Sequence, residues 1–282
     1  MKAQKTLDAI NASLEAAQET EHRKHIGASL LGGKCMRKMW YGWRWAAKEK
    51  FEGRMLRLFD RGQLEEERFF SYLRTIGCQT WETNPETGKQ WRVSFANGHG
   101  GGSGDGVAMG IPDLPPGTPF AVECKTHNDA SFKALQKEGV CQSKPEHFAQ
   151  TQIYTVKLGL PAALYMAANK NNDELHLEII YPNENFVATL TAKADEIVAS
   201  ETAPRRVSNN PGYYYCKSFN CAFYDICFNG AKPLQNCRTC KHSKPLPGGV
   251  WHCGRYNWPL TPEQQHTGCK DYELKPGISD TV

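Results

Sequence analysis

The chain has 282 residues, of which 40% are hydrophobic and 23% charged, and its formal net charge is +4. That length holds one catalytic domain with its own core plus a small appendage, and the mild positive balance permits a polyanionic partner without requiring one. No apolar run reaches membrane-spanning length and no signal-peptide core opens the chain, so the expectation is a cytoplasmic protein with no membrane partner.

In chain order, Met1 to about His22 reads as an amphipathic helix, with Leu7, Ile10, Leu14 and Ala17 near one face. Ser29 is placed to cap a short helix leading to Cys35. The next residues, Arg37, Lys38, Trp40, Tyr41, Trp43, Arg44 and Trp45, interleave cations with aromatic rings. Two readings fit them. One is a surface that pairs phosphates and stacks bases. The other is an aromatic helix packed in the core, with basic stems reaching outward. From Met55 to Gly77, apolar residues at helical spacing predict a long helix that also carries Glu65 and Glu66. Cys78 to Phe95 reads as strands around an Asn-Pro-Glu-Thr-Gly turn.

The glycine-rich loop Asn97 to Gly106 lacks the Gly-Lys-Ser/Thr ending of a phosphate-cradling loop, so no nucleotide site is expected there. It ends with Asp105, just before an apolar run. A proline-rich turn follows, and a second apolar run, Phe120 to Val122, delivers Glu123 and Lys125. Strand residues two apart share a face, so Glu123 and Lys125 point together while Cys124 points away. An acid on one strand and an acid–x–lysine on its hairpin partner then meet at one place. Close carboxylates repel unless a divalent cation lies between them, and a neighbouring lysine can orient or activate water. These are the parts of metal-assisted phosphodiester hydrolysis.

Beyond Lys125, Asn128 to about Gly139 reads as a helix or a mobile lysine-rich segment. Pro145 opens a clear helix that sets Gln150 and Tyr154 on one face, with Gln152 as the shifted alternative and His147 on the helix surface. Leu160 to Met166 and Leu175 to Tyr181 read as further strands. Eleven cysteines are an odd set, which argues for metal binding rather than a closed disulfide framework. They include Cys216, Cys221 and Cys227, whose thiolates with Cys35 make up the usual complement of an iron–sulfur cluster, zinc being the rival. A second group, Cys237, Cys240, Cys253 and Cys269, suits structural zinc, with His242, His252 or His266 as substitute ligands.

Asp105 with Glu123-Cys124-Lys125 resembles the core of the PD-(D/E)XK nuclease superfamily, in its RecB-like exonuclease branch. Gly62 followed by Glu66 (or Glu65, one residue back) is similar to that superfamily's first motif. Gln150 and Tyr154 look like the motif after the catalytic hairpin. The segment from Ser29 through Cys35 to Tyr41, with the three later cysteines, resembles the iron–sulfur members, among them CRISPR-associated and phage nucleases. The resemblance covers Ile26 to Cys227.

What the resemblance implies is an α/β fold, with a mixed central sheet flanked by helices; the small Cys-rich, metal-stapled appendage lies outside it and is expected from the residues alone. The expected organisation is an N-terminal helix at 1–25, a nuclease domain at 26–230, a zinc-binding-like module at 231–275 and a frayed tail at 276–282. Asp105, Glu123 and Glu66 would hold Mg²⁺ or Mn²⁺, together with the Cys124 carbonyl, and Lys125 would serve the attacking water. Gln150 and Tyr154 would position the nucleotide, and Cys35, Cys216, Cys221 and Cys227 would hold a 4Fe-4S cluster. Arg37, Lys38, Trp40, Tyr41 and Arg44 would contact DNA. The implied activity is exonucleolytic hydrolysis of DNA from free ends in recombination, repair or phage DNA processing, in a bacterial or phage-infected cell. A strand-annealing or recombination protein is the implied partner. The alternative is a non-catalytic nucleic-acid-binding module with structural metals; a redox role lacks a thioredoxin-like context for Cys237-x-x-Cys240.

Overall fold

The computed structural model describes residues 2–18 and 22–279. The chain is a mixed α/β protein that packs as two compact units, each built from separated segments. The first takes residues 2–18, 50–93 and 103–187, and the second takes 22–49, 94–102 and 188–279. The sequence-based borders at 26 and 231 both fall inside the second unit.

In the first unit, helix α1 (Gln4–Ala17) lies along helix α2 (Gly53–Thr75). Glu15 Oε1 accepts from Gly53 N at 2.7 Å, and Arg57 donates to Asn11 Oδ1 at 2.6 Å. The expected first helix is thus shorter than Met1–His22; Met1 and residues 19–21 lie outside the described residues. Five strands follow: β1 (Gln79–Trp81), β2 (Gly106–Met109), β3 (Pro119–His127), β4 (Ala163–Asn169) and β5 (Leu175–Ile180). They form one sheet in sequential order. All neighbours are antiparallel except β3 and β4, which run parallel with Glu123 opposite Tyr165. A parallel pair needs a crossover, and helices α3 (Asp129–Ser143) and α4 (Pro145–Lys157) supply it.

The alternation of β3 sorts the core onto two faces. Phe120, Val122 and Cys124 pack with Leu164 and Met166 of β4 and with Phe69, Phe70 and Leu73 of α2. Ala121 packs on the other face with Ala163, Tyr165 and Ala167 and with Phe132, Leu135 and Val140 of α3. Every residue of β4 is buried, as expected of a strand covered on both sides. It starts at Ala163 rather than Leu160, because Leu160 N still bonds to Thr155 O at 2.9 Å and closes the end of α4. The lysine-rich segment after β3 is helical from Asp129, is broken at Gly139 where φ is +71°, and resumes as a helical turn ending at Ser143. The helix at Glu184–Ala199 has no counterpart in the sequence-based reading; Asn183 Oδ1 accepts from Phe186 N at its start.

The second unit is organised around the Met36–Trp43 helix. Cys35, not Ser29, occupies the telling cap: its Sγ accepts from Lys38 N at 3.4 Å. Trp40, Trp43, Trp45 and Trp251 are all buried, with Arg44 and Arg238 among them. The Arg238 guanidinium lies 3.7 Å from the Trp45 ring centre, and that of Arg44 lies 4.6 Å from Trp40. Both guanidinium groups are pushed down by burial, Arg44 to about 10 and Arg238 to about 9. Three short antiparallel strands, Ser243–Leu246, Val250–Cys253 and Trp258–Leu260, form the C-terminal sheet. The tail is docked where a frayed end was expected. Ile278 is 1% exposed and its carbonyl accepts from Tyr41 OH at 2.6 Å; residues 280–282 lie outside the described residues.

Gly106 follows Asp105 at a place where a side chain has no room. A Cβ there would stand 2.5 Å from the Phe70 ring and 3.0 Å from Trp81 O. Overpacking of this kind destabilises by about 1–3 kcal/mol. Gly106→Ala is expected to lower the urea midpoint accordingly, whereas Gly62→Ala, whose Cβ meets nothing, leaves it unchanged or raises it.

Candidate active site

The β2–β3 hairpin brings the acids together. Gly106 pairs with Val122, so Asp105 stands level with Glu123 one step further along. Asp105 Oδ2 accepts from Cys124 N at 2.7 Å, which ties the end of the glycine-rich loop to β3. Glu123 is 1% exposed and ion-paired through Oε1 to Lys125 Nζ. Lys125 also donates to the Cys124 carbonyl at 3.2 Å. Glu123 Oε2 is buried with no hydrogen-bond partner.

Glu66 of α2 joins this group. Burial raises its carboxyl to about 7; Asp105 adds to the rise and Lys125 opposes it. Burial also pushes Glu123 up, against the pull of Lys125 and with further lifts from Asp105 and Glu66. Lys125 resists desolvation because Glu123 and Asp105 hold its ammonium charged, and its pKa moves up. Three carboxyl groups thus sit within electrostatic reach of one another with one cation among them. Glu65, the slipped alternative to Glu66, turns elsewhere and accepts from Arg68 at 3.0 Å.

Of the helix-borne candidates, Tyr154 is 4% exposed, and its ring lies 3.8 Å from where a Cβ on Gly104 would be. It is a wall beneath the Asp105 loop rather than an open contact for a nucleotide. Gln150 is half-buried on the same helix. Gln152 is spent on structure, donating to Tyr181 O and accepting from Asn183 N, each at 2.7 Å.

The sequence-based reading missed a buried polar group beside Lys125. Tyr165 OH lies 3.0 Å from His127 Nε2 and 2.8 Å from His147 Nδ1, and His127 Nδ1 is 3.1 Å from Ser131 Oγ. Burial and nearby lysines lower His127 to about 4 and His147 to about 3, so both rings are neutral at pH 7. His147 is thereby a partner of Tyr165, not a helix-surface residue. The β3–β4 register, which sets Glu123 opposite Tyr165, was the signal that the sequence could not display.

The cysteines gather as two sets in the second unit. Cys35, Cys216, Cys221 and Cys227 line one cavity, with Phe223, Phe228 and Val207 among its apolar walls and no carboxylate or imidazole. None of the four is in a disulfide. Burial lifts Cys227 to about 11, with Cys221 and Cys35 contributing and Arg37 opposing. Cys237 is raised to about 11 by burial and then by Cys240, Cys269 and Cys253, so those four are neighbours too. Two of the three substitute ligands are occupied: His242 meets Glu273 at 2.9 Å, and His266 stacks on Trp45 at 4.2 Å. Among the described residues no three Cys, His, Asp or Glu side chains are already posed to hold a metal ion.

The proposed DNA contacts of the Met36–Trp43 helix need correction. Arg37, Trp40, Tyr41 and Arg44 are each 3% exposed or less. Trp40 Nε1 donates to Ser200 O at 3.1 Å, Arg37 to Tyr41 OH at 3.2 Å, and Arg44 to Arg238 O at 2.9 Å. Lys38 is half-buried and donates to Asn220 O at 3.0 Å. The rings and guanidinium groups are core of the second unit and present no stacking face to a strand.

No protein-family description matches the chain, and no curated protein matches it. Among solved structures it is similar to an alkaline exonuclease, LHK-Exo, from Laribacter hongkongensis, at TM-score 0.44 and 16% identity over 67% of this chain and 91% of that one. The same exonuclease in complex with dAMP gives 0.43 and 14% over 68% and 91%. SSO0001 gives 0.47 and 16% over 80% and 96%. At these scores the likenesses carry no argument about this chain, whose own residues must. No helix among the described residues is long and apolar enough to cross a membrane.

The raised carboxyl of Glu66 makes stability depend on pH. The folded Glu66 value of about 7 lies above its ordinary 4.5, so its contribution is full below about 4.5 and is lost as pH rises through about 7. Without added divalent cation, thermal melts should therefore fall between pH 5 and pH 8. Glu66→Gln should narrow that fall, and Mn²⁺ should raise the wild-type midpoint more at pH 8 than at pH 5.

Proposed function

We propose that this chain is a metal-dependent deoxyribonuclease that hydrolyses DNA phosphodiester bonds from strand ends. The observation that carries the reading is the unpartnered, buried Glu123 Oε2 in a group with Asp105 and Glu66. An orphaned carboxylate oxygen among like charges fits a site built around a divalent cation. Asp105, Glu123 and Glu66 would hold Mg²⁺ or Mn²⁺, which when bound would stabilise the charge developing on the phosphate.

The chain's own groups do the remaining work. Lys125, held as an ammonium by Glu123 and Asp105, donates rather than accepts. Its role is to orient the attacking water or to hydrogen-bond a phosphate oxygen, not to remove a proton in this charge state. The Cys124 N–H holds the Asp105 carboxylate in register as charge moves nearby. A pure binding module would gain nothing from three acids facing a polyanion, which disfavours the non-catalytic alternative.

In the same reading, Cys35, Cys216, Cys221 and Cys227 would hold a 4Fe-4S cluster, and Cys237, Cys240, Cys253 and Cys269 a structural Zn²⁺. The first fits a cavity where four thiols converge among aromatic rings and the cations Arg37, Lys38 and Arg206, with no carboxylate or imidazole, and it would tie the Met36–Trp43 helix to the segment 206–228. The second fits a small sheet built of three short strands.

Asp105→Asn, Glu123→Gln and Lys125→Met are each expected to slow digestion of end-labelled linear DNA by about 10²-fold or more, with chelation abolishing it. Lys125→Met should keep wild-type affinity for DNA, because it removes a transition-state contact. Full activity in all three would end the assignment.

Anaerobically purified protein is expected to contain iron, acid-labile sulfide and zinc. Cys35→Ala should lose the iron and keep the zinc, since the two sets share no ligand. Zinc alone in both sets would remove the cluster.

A further inference from the structure

Two stretches of the chain, 23–48 and 202–224, contain lysines and arginines but no aspartate or glutamate. They meet in the second unit, where Lys38 Nζ donates to Asn220 O and Lys34 Nζ lies 5.3 Å from the centre of the Tyr215 ring. The loop that receives them turns its aromatic rings outward. Tyr214 is 62% exposed, Tyr215 43% and Phe219 72%.

These rings form one group. Tyr214 is 5.5 Å from Tyr215 and 6.3 Å from Phe219, and Lys217 Nζ is 5.8 Å from the Phe219 centre. Their backbone is held: Asn220 Nδ2 donates to Tyr214 O and Asn220 N to Lys217 O, both at 2.8 Å. Cys216 and Cys221, on the same loop, turn inward to the thiol cavity. Rings left in water at a fixed spacing, with cations beside them and no acid in either stretch, suit a ligand that is both flat-faced and polyanionic. Protein interfaces are enriched in aromatics but depleted in lysine, which weighs against a protein occupant.

We propose that Tyr214, Tyr215 and Phe219, with Lys34 and Lys217, form a binding surface for single-stranded DNA. Bases stack on the exposed rings and phosphates pair with the two ammonium groups. The identity of the strand as DNA rests on the nuclease reading; the surface itself rests on exposure and charge. It takes the role that the sequence suggested for the buried Trp40 and Tyr41.

The test is fluorescence anisotropy of the full-length protein with labelled oligo(dT), without added divalent cation. Tyr214→Ala and Phe219→Ala should each weaken binding about tenfold, and Tyr214→Phe, which keeps the ring face, should bind as wild type. Lys217→Ala should make the salt dependence shallower by about 0.7 in the log–log slope. Because these side chains are exposed, melting temperatures should match wild type, and any variant that melts early is replaced by Phe219→Leu. Wild-type hydrolysis of thymidine 5′-(p-nitrophenyl phosphate), in a separate assay with added Mn²⁺, reads the acid cluster independently. Loss of binding in the variants with no such hydrolysis would sink the nuclease reading and leave the surface standing. Alanine variants within twofold of wild type, or no oligo(dT) binding at all, would overturn the surface and leave the rings to a protein partner or to solvent.

Discussion

A carboxylate removed from water needs a donor for each oxygen, and Glu123 has a donor for only one. That single imbalance governs the first unit. Glu123 is buried because β3 lies inside the sheet, between β2 and the fully buried β4, with helices packed against both faces. Lys125 is held charged because Glu123 needs a counter-ion two residues along the same face. Asp105 and Glu66 then make the local field more negative than one lysine can balance. Burial and mutual repulsion therefore both raise the proton affinity of Glu123 and Glu66.

The neutral side of the same face is as carefully arranged. Two imidazoles at hydrogen-bonding distance from one phenol would be destabilised by protonation next to Lys125, and burial keeps both uncharged. Lys125 is thereby left as the cation of this buried group, and its hydrogen bonds go to Glu123 and the Cys124 carbonyl. Ala163 and Ala167 of β4 are buried in the same cluster as Tyr165.

The second unit rests on a different interaction. Arg44 and Arg238 are buried among tryptophans, with carbonyls of the chain accepting from them. Ring faces and peptide oxygens replace the water each guanidinium gives up. The same chemistry appears outside, where Lys34 and Lys217 lie over exposed rings. Cation and ring are thus used twice, once as core and once as surface, and only burial separates the two uses.

Much of the arrangement of the candidate site was legible in the chain itself. The alternation of Glu123, Cys124 and Lys125 and the turn before them depend on local geometry, and the hairpin follows from them. Cysteine spacing likewise foretold that Cys216, Cys221 and Cys227 would gather, because they lie close together in the chain, whereas distant Cys35 was joined to them only through the family resemblance. Tertiary structure alone decided the rest. Whether Glu65 or Glu66 faced the acids depended on the rotation of α2, which a run of three glutamates leaves open. Whether Trp40 or Tyr214 met solvent depended on which aromatic segment the core enclosed, and composition is blind to that because both segments mix rings with cations. Tyr165 reached its two histidines through the parallel register of β3 and β4, a pairing between strands separated by two helices. Such long-range choices are set by the burial of whole faces, and no local pattern in the sequence encodes them.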